Sequence, residues 1–154
     1  ATQILEEVGD KKLVIVANYR MSVRVLLKNL EKYNAVALNG EISSAEKEEA
    51  KTRFINDPTC RVCILNPRSG GLGVDGFQAV CSDMLFLELP VVPKDFTQTV
   101  GRLDRDGQKE VVNVRVATAL NTIQTKLHKR LLQKDEIVNK IIENWKDLKD
   151  DLGL

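Results

Sequence analysis

Short apolar runs alternate with amphipathic stretches along most of this chain. Residues 12–17, KLVIVA, are β-branched and bounded by Gly9-Asp10 and Asn18, as expected of a strand buried on both faces. Val23, Leu26, Leu27 and Leu30 recur at i, i+3, i+4 and i+7, which predicts a helix over 21–33 with Asn34 as its stop. A brief strand over 35–38 runs into Asn39-Gly40, a turn signal. Ser43 and Glu46 form a capping box that opens a helix to about residue 56, with Glu49 and Arg53 spaced for an i, i+4 ion pair. Asp57-Pro58 ends it, and further strands follow at 61–65, 84–88 and 110–117. Leu120, Ile123, Leu127 and Leu131 mark another helix, and Ile137, Ile141, Ile142, Trp145 and Leu148 a last one from near Asp135. Five strands alternating with helices through short connections predict an α/β fold. It is a parallel sheet of about five or more strands with helices on both faces, plus C-terminal helices. In such sheets ligands gather at the carboxyl ends of the strands. Those ends carry Asn18-Tyr19-Arg20, Asn39-Gly40-Glu41, the loop after Leu65, and residues 89–94.

One more amphipathic stretch, 96–109 (FTQTVGRLDRDGQK), combines an apolar stripe with chemistry. Read as a helix to about Arg105, it puts Phe96, Val100 and Leu103 on one face, and Gln98, Arg102 and Arg105 nearly opposite. Planar guanidinium forks suit phosphate oxygens. Gly101 between the faces costs about 1 kcal/mol of helix propensity, a reason to expect close backbone approach, for instance to a ligand. The plain alternative is a solvated face, since Asp95, Asp104 and Asp106 are near enough to form weak surface ion pairs.

Composition narrows the classes. With 43% hydrophobic and 29% charged residues in 154, the chain is an ordinary globular sequence and most simply one domain. A net charge of +1 leaves no general basic field, so nucleic acid would need a local patch. No apolar run approaches a membrane span and the first residues lack a secretory pattern, so an intracellular protein is expected, in cytoplasm or nucleus. The chain begins at Ala1 without Met, as a trimmed chain or a fragment would. Cys60, Cys63 and Cys81 are an odd count, and Cys60-x-x-Cys63 straddles the start of a strand, so those two are expected to face opposite ways as buried thiols. His128 is the single histidine, so no metal site is expected.

The loop after the third strand reads NPRSGGLGVDG, with Gly70, Gly71, Gly73 and Gly76 allowing backbone N–H groups near an anion. Arg68 and Ser69 add donors, and Asp75 can accept from a ribose hydroxyl; a flexible turn is the structural alternative. No P-loop is present: Gly101 to Lys109 has five residues between its glycines and Gln108 before the lysine. Glu88 stands alone at its strand end, without the second acid that would hold magnesium. Arginines suited to phosphate without a cradle for it describe half of a site.

Motif by motif, the chain resembles the C-terminal RecA-like lobe of superfamily 2 helicases, most nearly the Swi/Snf-like DNA-dependent ATPases. Gln98-x-x-Gly101-Arg102-x-x-Arg105-x-Gly107-Gln108 is similar to their motif VI, and Ser69-Gly70-Gly71-Leu72-Gly73 to motif V. Residues 13–19 resemble motif IV, and Leu38-Asn39-Gly40 before a capped helix resembles a further family segment. The resemblance covers about 11–132 of a single domain, leaving 133–154 as a helical extension. It implies the second motor lobe of a helicase or translocase, inactive without an N-terminal lobe that carries the P-loop and shares ATP with magnesium. Carried over, Arg105 is the arginine finger, Arg102 a second phosphate-sensing arginine, and Gln98 a link between nucleotide and the facing lobe. Gly71, Gly73 and Asp75 would lie at the nucleotide cleft, and Asn18, Tyr19, Asn39, Arg68 and Ser69 along a DNA phosphate track. Binding to DNA is expected to be weak and without sequence preference, duplex foremost, with single strands or RNA as alternatives. Asp104 stands where the family commonly has His, Pro67 where a hydroxyl is usual, and Asp75 where Asn is usual. These departures leave open a non-catalytic RecA-like interaction module with vestigial motifs. The family's large insertions are lacking, as expected of a compact microbial or viral version.

Overall fold

A computed structural model of the protein describes residues 1–67, 74–88, 90, 93–117 and 133. Its centre is a sheet of five parallel strands: β1 (Leu13–Val16), β2 (Val36–Leu38), β3 (Val62–Leu65), β4 (Asp83–Phe86) and β5 (Asn113–Val116). The spatial order is β2-β3-β1-β4-β5, so β1 lies in the middle with Ile15 abreast of Ile64 and Leu85. All residues of β1, β3 and β4 are buried, which is why their sequences are apolar runs and not alternations, except for Asp83 at the start of β4, which pairs with Arg115 at 2.6 Å.

Helices α1 (Thr2–Glu7), α2 (Arg20–Asn29), α3 (Ser44–Asn56) and α4 (Pro93–Val100) cover both faces. On one face Leu5 of α1 and Val23 and Leu26 of α2 join Leu13, Ile15, Ile64 and Leu85. On the other, Phe54 of α3 packs with Val14, Val16, Met84 and Phe86, and Phe96 and Val100 of α4 lie against that cluster. Aromatic pairs fasten this second core: Phe54 and Phe77 lie 4.7 Å apart by ring centroid, and Phe86 and Phe96 4.6 Å. The chain leaves β1 towards the β2 edge and thereafter moves the other way across the sheet. In open α/β sheets such a reversal marks where ligands gather, at the carboxyl ends of the strands.

All five expected strands form, the last shorter than its apolar pattern, since Val111 lies outside β5 and is exposed. The helix expected over 21–33 stops at Asn29; a 3₁₀ turn over Glu31–Tyr33 follows, and Asn34 leaves it at φ 55°. The capping box of α3 forms in full, Ser43 accepting from the Glu46 amide and Glu46 from the Ser43 amide. Arg53, however, donates to Asn34, which precedes β2, and the ion pair along the helix joins Lys51 to Glu48 at 3.5 Å. The short α1 has no counterpart in the sequence reading, because six residues give too little period to recognise. The helices expected beyond 117 fall outside the described residues. Among the described residues no helix is long and apolar enough to cross a membrane.

Candidate functional site

The carboxyl rim of the sheet is braced by asparagines. Asn18, Asn39 and Asn66 follow β1, β2 and β3 closely, where Asn side chains compete well for backbone partners. Asn66 Nδ2 donates to the Asn18 carbonyl and Asn18 Nδ2 to the Glu88 carbonyl, each at 3.1 Å. Asn39 Oδ1 accepts from the Glu41 amide at 2.9 Å, and the side chain is buried. Asn39 is therefore turned into the rim and not towards solvent, while Tyr19 at the start of α2 is 64% exposed. Arg20 and Arg24 project from α2 and reach Glu41 Oε1 at 3.7 and 3.0 Å.

Glu88, two residues past β4, closes this brace. Its Oε2 accepts from the amides of Asn18 at 2.6 Å and Tyr19 at 3.2 Å, and its Oε1 accepts from the Ser22 hydroxyl. The start of α2 has no acidic residue in its first turn and no side-chain cap of its own. A carboxylate from a distant strand supplies both the missing acceptor and the favourable charge.

The stretch expected to be one helix to Arg105 ends its regular turns at Val100. Beyond it the chain tightens through i→i+3 bonds, Arg102 N–H to Thr99 O at 3.3 Å and Leu103 N–H to Val100 O at 2.9 Å. Such turns still keep Leu103 on the apolar side: it is 1% exposed, in the same core as Phe77 and Phe86. Gln98 and Arg105 are exposed and Arg102 is half-buried. Arg105 donates through Nη1 to Asp75 Oδ1, so the arginine lies beside the end of the glycine loop although it no longer shares a helical face with Gln98. Gly101 is exposed, and its amide donates to the Thr97 carbonyl at 2.9 Å as in a regular helical turn. Gly107, at φ 95°, turns the chain back. Gln108 then staples the turn: Nε2 donates to the carbonyls of Cys81 at 3.0 Å and Leu103 at 3.2 Å, and Oε1 accepts from the Lys109 and Glu110 amides. Sequence reading gave Gln108 only a place in a motif.

Arg68, Ser69, Gly71 and Gly73 fall outside the described residues, as does His128. Cys60 and Cys63 do not face opposite ways; with Cys81 they share one buried cluster. Cys60 precedes the strand in a turn where its amide donates to Asp57 O at 3.2 Å, so strand alternation does not govern it. Burial pushes all three thiols above their ordinary range, Cys81 to about 12. Among the described residues no group of three or more His, Cys, Asp or Glu is arranged to hold a metal ion.

Similarity to known proteins agrees with this geometry. The helicase conserved C-terminal domain family matches residues 1–107. A "DNA repair and recombination protein RAD54-like" of Drosophila persimilis is 30% identical over 141 residues, 88% of this chain and 18% of its own length. The protein of the same name from Drosophila ananassae is 29% identical over 141 residues. This chain thus spans less than a fifth of these relatives. In structure it is similar to the C-terminal part of the Fun30 ATPase domain, with a TM-score of 0.76 and 20% identity over 83% of this chain and 42% of that one. The chain belongs to the helicase conserved C-terminal domain family, as a RecA-like lobe of the kind found in Swi/Snf-like helicases.

Proposed function

We propose that this lobe is the second half of an ATP-driven nucleic-acid motor, and that Arg105 is the arginine it lends to the transferring phosphoryl group. The observation that carries this reading is the position of the Arg105 guanidinium. It is exposed, rooted in the core through Leu103, and held beside Asp75 at the end of the glycine loop. A partner lobe would bring ATP and its magnesium to this rim. Phosphoryl transfer then needs positive charge where negative charge develops, and a finger arriving from a second domain contributes about 10³–10⁵ in rate. Arg102, half-buried on the same turn, would sense the phosphates, and Gln98 would face the partner lobe. Asp75 would change partner, from the guanidinium to a ribose hydroxyl. Gly71 and Gly73 would line the same cleft. Because the finger arrives only on lobe closure, hydrolysis would be coupled to movement.

Nucleic acid would follow the carboxyl rim. Tyr19 and Arg20 at the tip of α2 are the exposed contributors, and Arg68 and Ser69, which follow β3 in the sequence, would join them. Asn18 and Asn39 would act through the rim they brace. Contact would be with phosphates, hence weak for this lobe alone, salt-sensitive and without sequence preference. DNA is the favoured ligand, given the relatives named for DNA repair.

The test is turnover in the complete two-lobed protein. Arg105→Ala is expected to lower it by about 10³-fold or more while ATP binding stays nearly intact. An unchanged turnover number rejects the finger. The 154-residue chain alone is expected to hydrolyse no ATP. A second reading, a non-catalytic interaction module, is favoured by one observation: Arg105 already has a carboxylate partner inside the lobe. A complete protein that binds partners but shows no ATPase activity would select it.

A further inference from the structure

Glu88 takes no part in the arginine chemistry, yet its carboxylate accepts from two backbone amides and a hydroxyl across a sequence gap of 66 to 70 residues. Its own carbonyl accepts from Asn18 Nδ2 as well. The group receiving this attention is the first turn of α2, which presents Tyr19 and Arg20 to solvent. That turn is poorly provided for locally. Arg20, its first helical residue, places a cation at the positive end of the helix, and no acid follows within the turn. Glu88 compensates from outside, and it does so from the segment that leaves β4 for α4, the helix bearing Gln98 and leading to Arg105.

We infer that Glu88 is a positioning residue: it holds the Tyr19–Arg20 tip of α2 in the geometry that meets a nucleic-acid backbone, and ties that tip to the segment leading into α4. What the tip touches depends on the motor reading above, whereas the brace itself can be tested without nucleic acid. Glu88→Gln keeps the shape and removes the charge, so the amides of Asn18 and Tyr19 lose their anionic acceptor. Ser22→Ala removes one donor and leaves the carboxylate on the amides, a milder change that does not threaten folding.

Both variants are to be made in the complete two-lobed protein and compared with wild type. Three readouts apply: hydrogen exchange over residues 18–24, ATPase turnover with and without duplex DNA, and the DNA concentration giving half-maximal stimulation. For Glu88→Gln, exchange at the Asn18 and Tyr19 amides is expected to quicken by about tenfold. The half-maximal DNA concentration is expected to rise by about tenfold, the loss typical of one charge-assisted hydrogen bond. DNA-free turnover and the KM for ATP are expected to stay within about twofold, since the arginine turn is untouched. Ser22→Ala should shift both exchange and DNA dependence in the same direction, by less. Unchanged exchange overturns the brace. Quickened exchange with unaltered DNA dependence overturns the positioning role, as does a DNA-free turnover that falls in the same proportion as the stimulated one. A wild-type protein indifferent to DNA rejects the motor reading, and the role of the tip with it. Normal wild-type stimulation that neither variant alters rejects the Glu88 role alone.

Discussion

Lys12 and Arg105 are both cations anchored to the same core, and they are held in opposite ways. Lys12 Nζ donates to the carbonyls of Phe54 at 2.5 Å, Asp57 at 2.7 Å and Cys60 at 3.0 Å, and lies 5.1 Å from the centroid of the Phe54 ring. An ammonium has three donors, and all are spent on the carbonyls that end α3 and turn into β3. Burial draws the Lys12 pKa below its usual value, partly opposed by the nearby Asp57 carboxylate. Arg105 is bound to one exposed carboxylate, in water, by a pair of the kind that contributes little to stability. A cation fixed by main-chain carbonyls is part of the scaffold. One leaning on a single exposed carboxylate can exchange that anion for another at small cost, as the proposed finger role requires.

The largest expected effect lies under the exposed cation. Leu103→Ala should cost about 2–5 kcal/mol in urea unfolding, because it empties a fully buried position in the core cluster that also holds Phe77 and Phe86. A loss below about 1 kcal/mol would mean that the arginine turn is not rooted as its burial implies. On the scaffold side, Lys12→Met leaves the Phe54, Asp57 and Cys60 carbonyls without their donor and should cost about 1–3 kcal/mol. A neutral result would make Lys12 as dispensable as a surface cation and erase the contrast.

The core between the two cations gives a pH test. The Cys81 thiol is pushed up to about 12 by burial, from an ordinary value of 9.0. Folded protein keeps this proton while the unfolded chain loses it, so the contribution is complete below about pH 9 and declines as pH rises towards 12. One such thiol contributes a slope of about 1.4 kcal/mol per pH unit, which Cys81→Ala should remove. All three thiols should resist thiol reagents until the protein unfolds. Rapid labelling of the native protein would show that this core opens.

The smallest effect is the sharpest. Asp75→Asn should change stability by less than about 1 kcal/mol, since both partners are exposed. A loss of several kcal/mol would make the Arg105–Asp75 pair structural and place Arg105 beside Lys12 in kind.

What the sequence determined by itself is local. Runs such as LVIV and VCIL are apolar at every position, and that already requires cover on both sides of a sheet. The Ser43–Glu46 box needs only residues three apart. The spacing of Phe96, Val100 and Leu103 placed Arg105 opposite a buried stripe, and that holds although the helix ends at Val100, because the tightened turn rotates Leu103 inward all the same. Tertiary structure decided the rest, through contacts between residues that share no local pattern. Asp75 meets Arg105 across 30 residues, and Glu88 meets Tyr19 across 69. Three cysteines from two parts of the chain share one side of the sheet, a fact set by the order β2-β3-β1-β4-β5. Periodicity reports which face of an element is apolar. Which strand ends stand side by side, and so which polar groups find one another, follows only once the strands have been ordered.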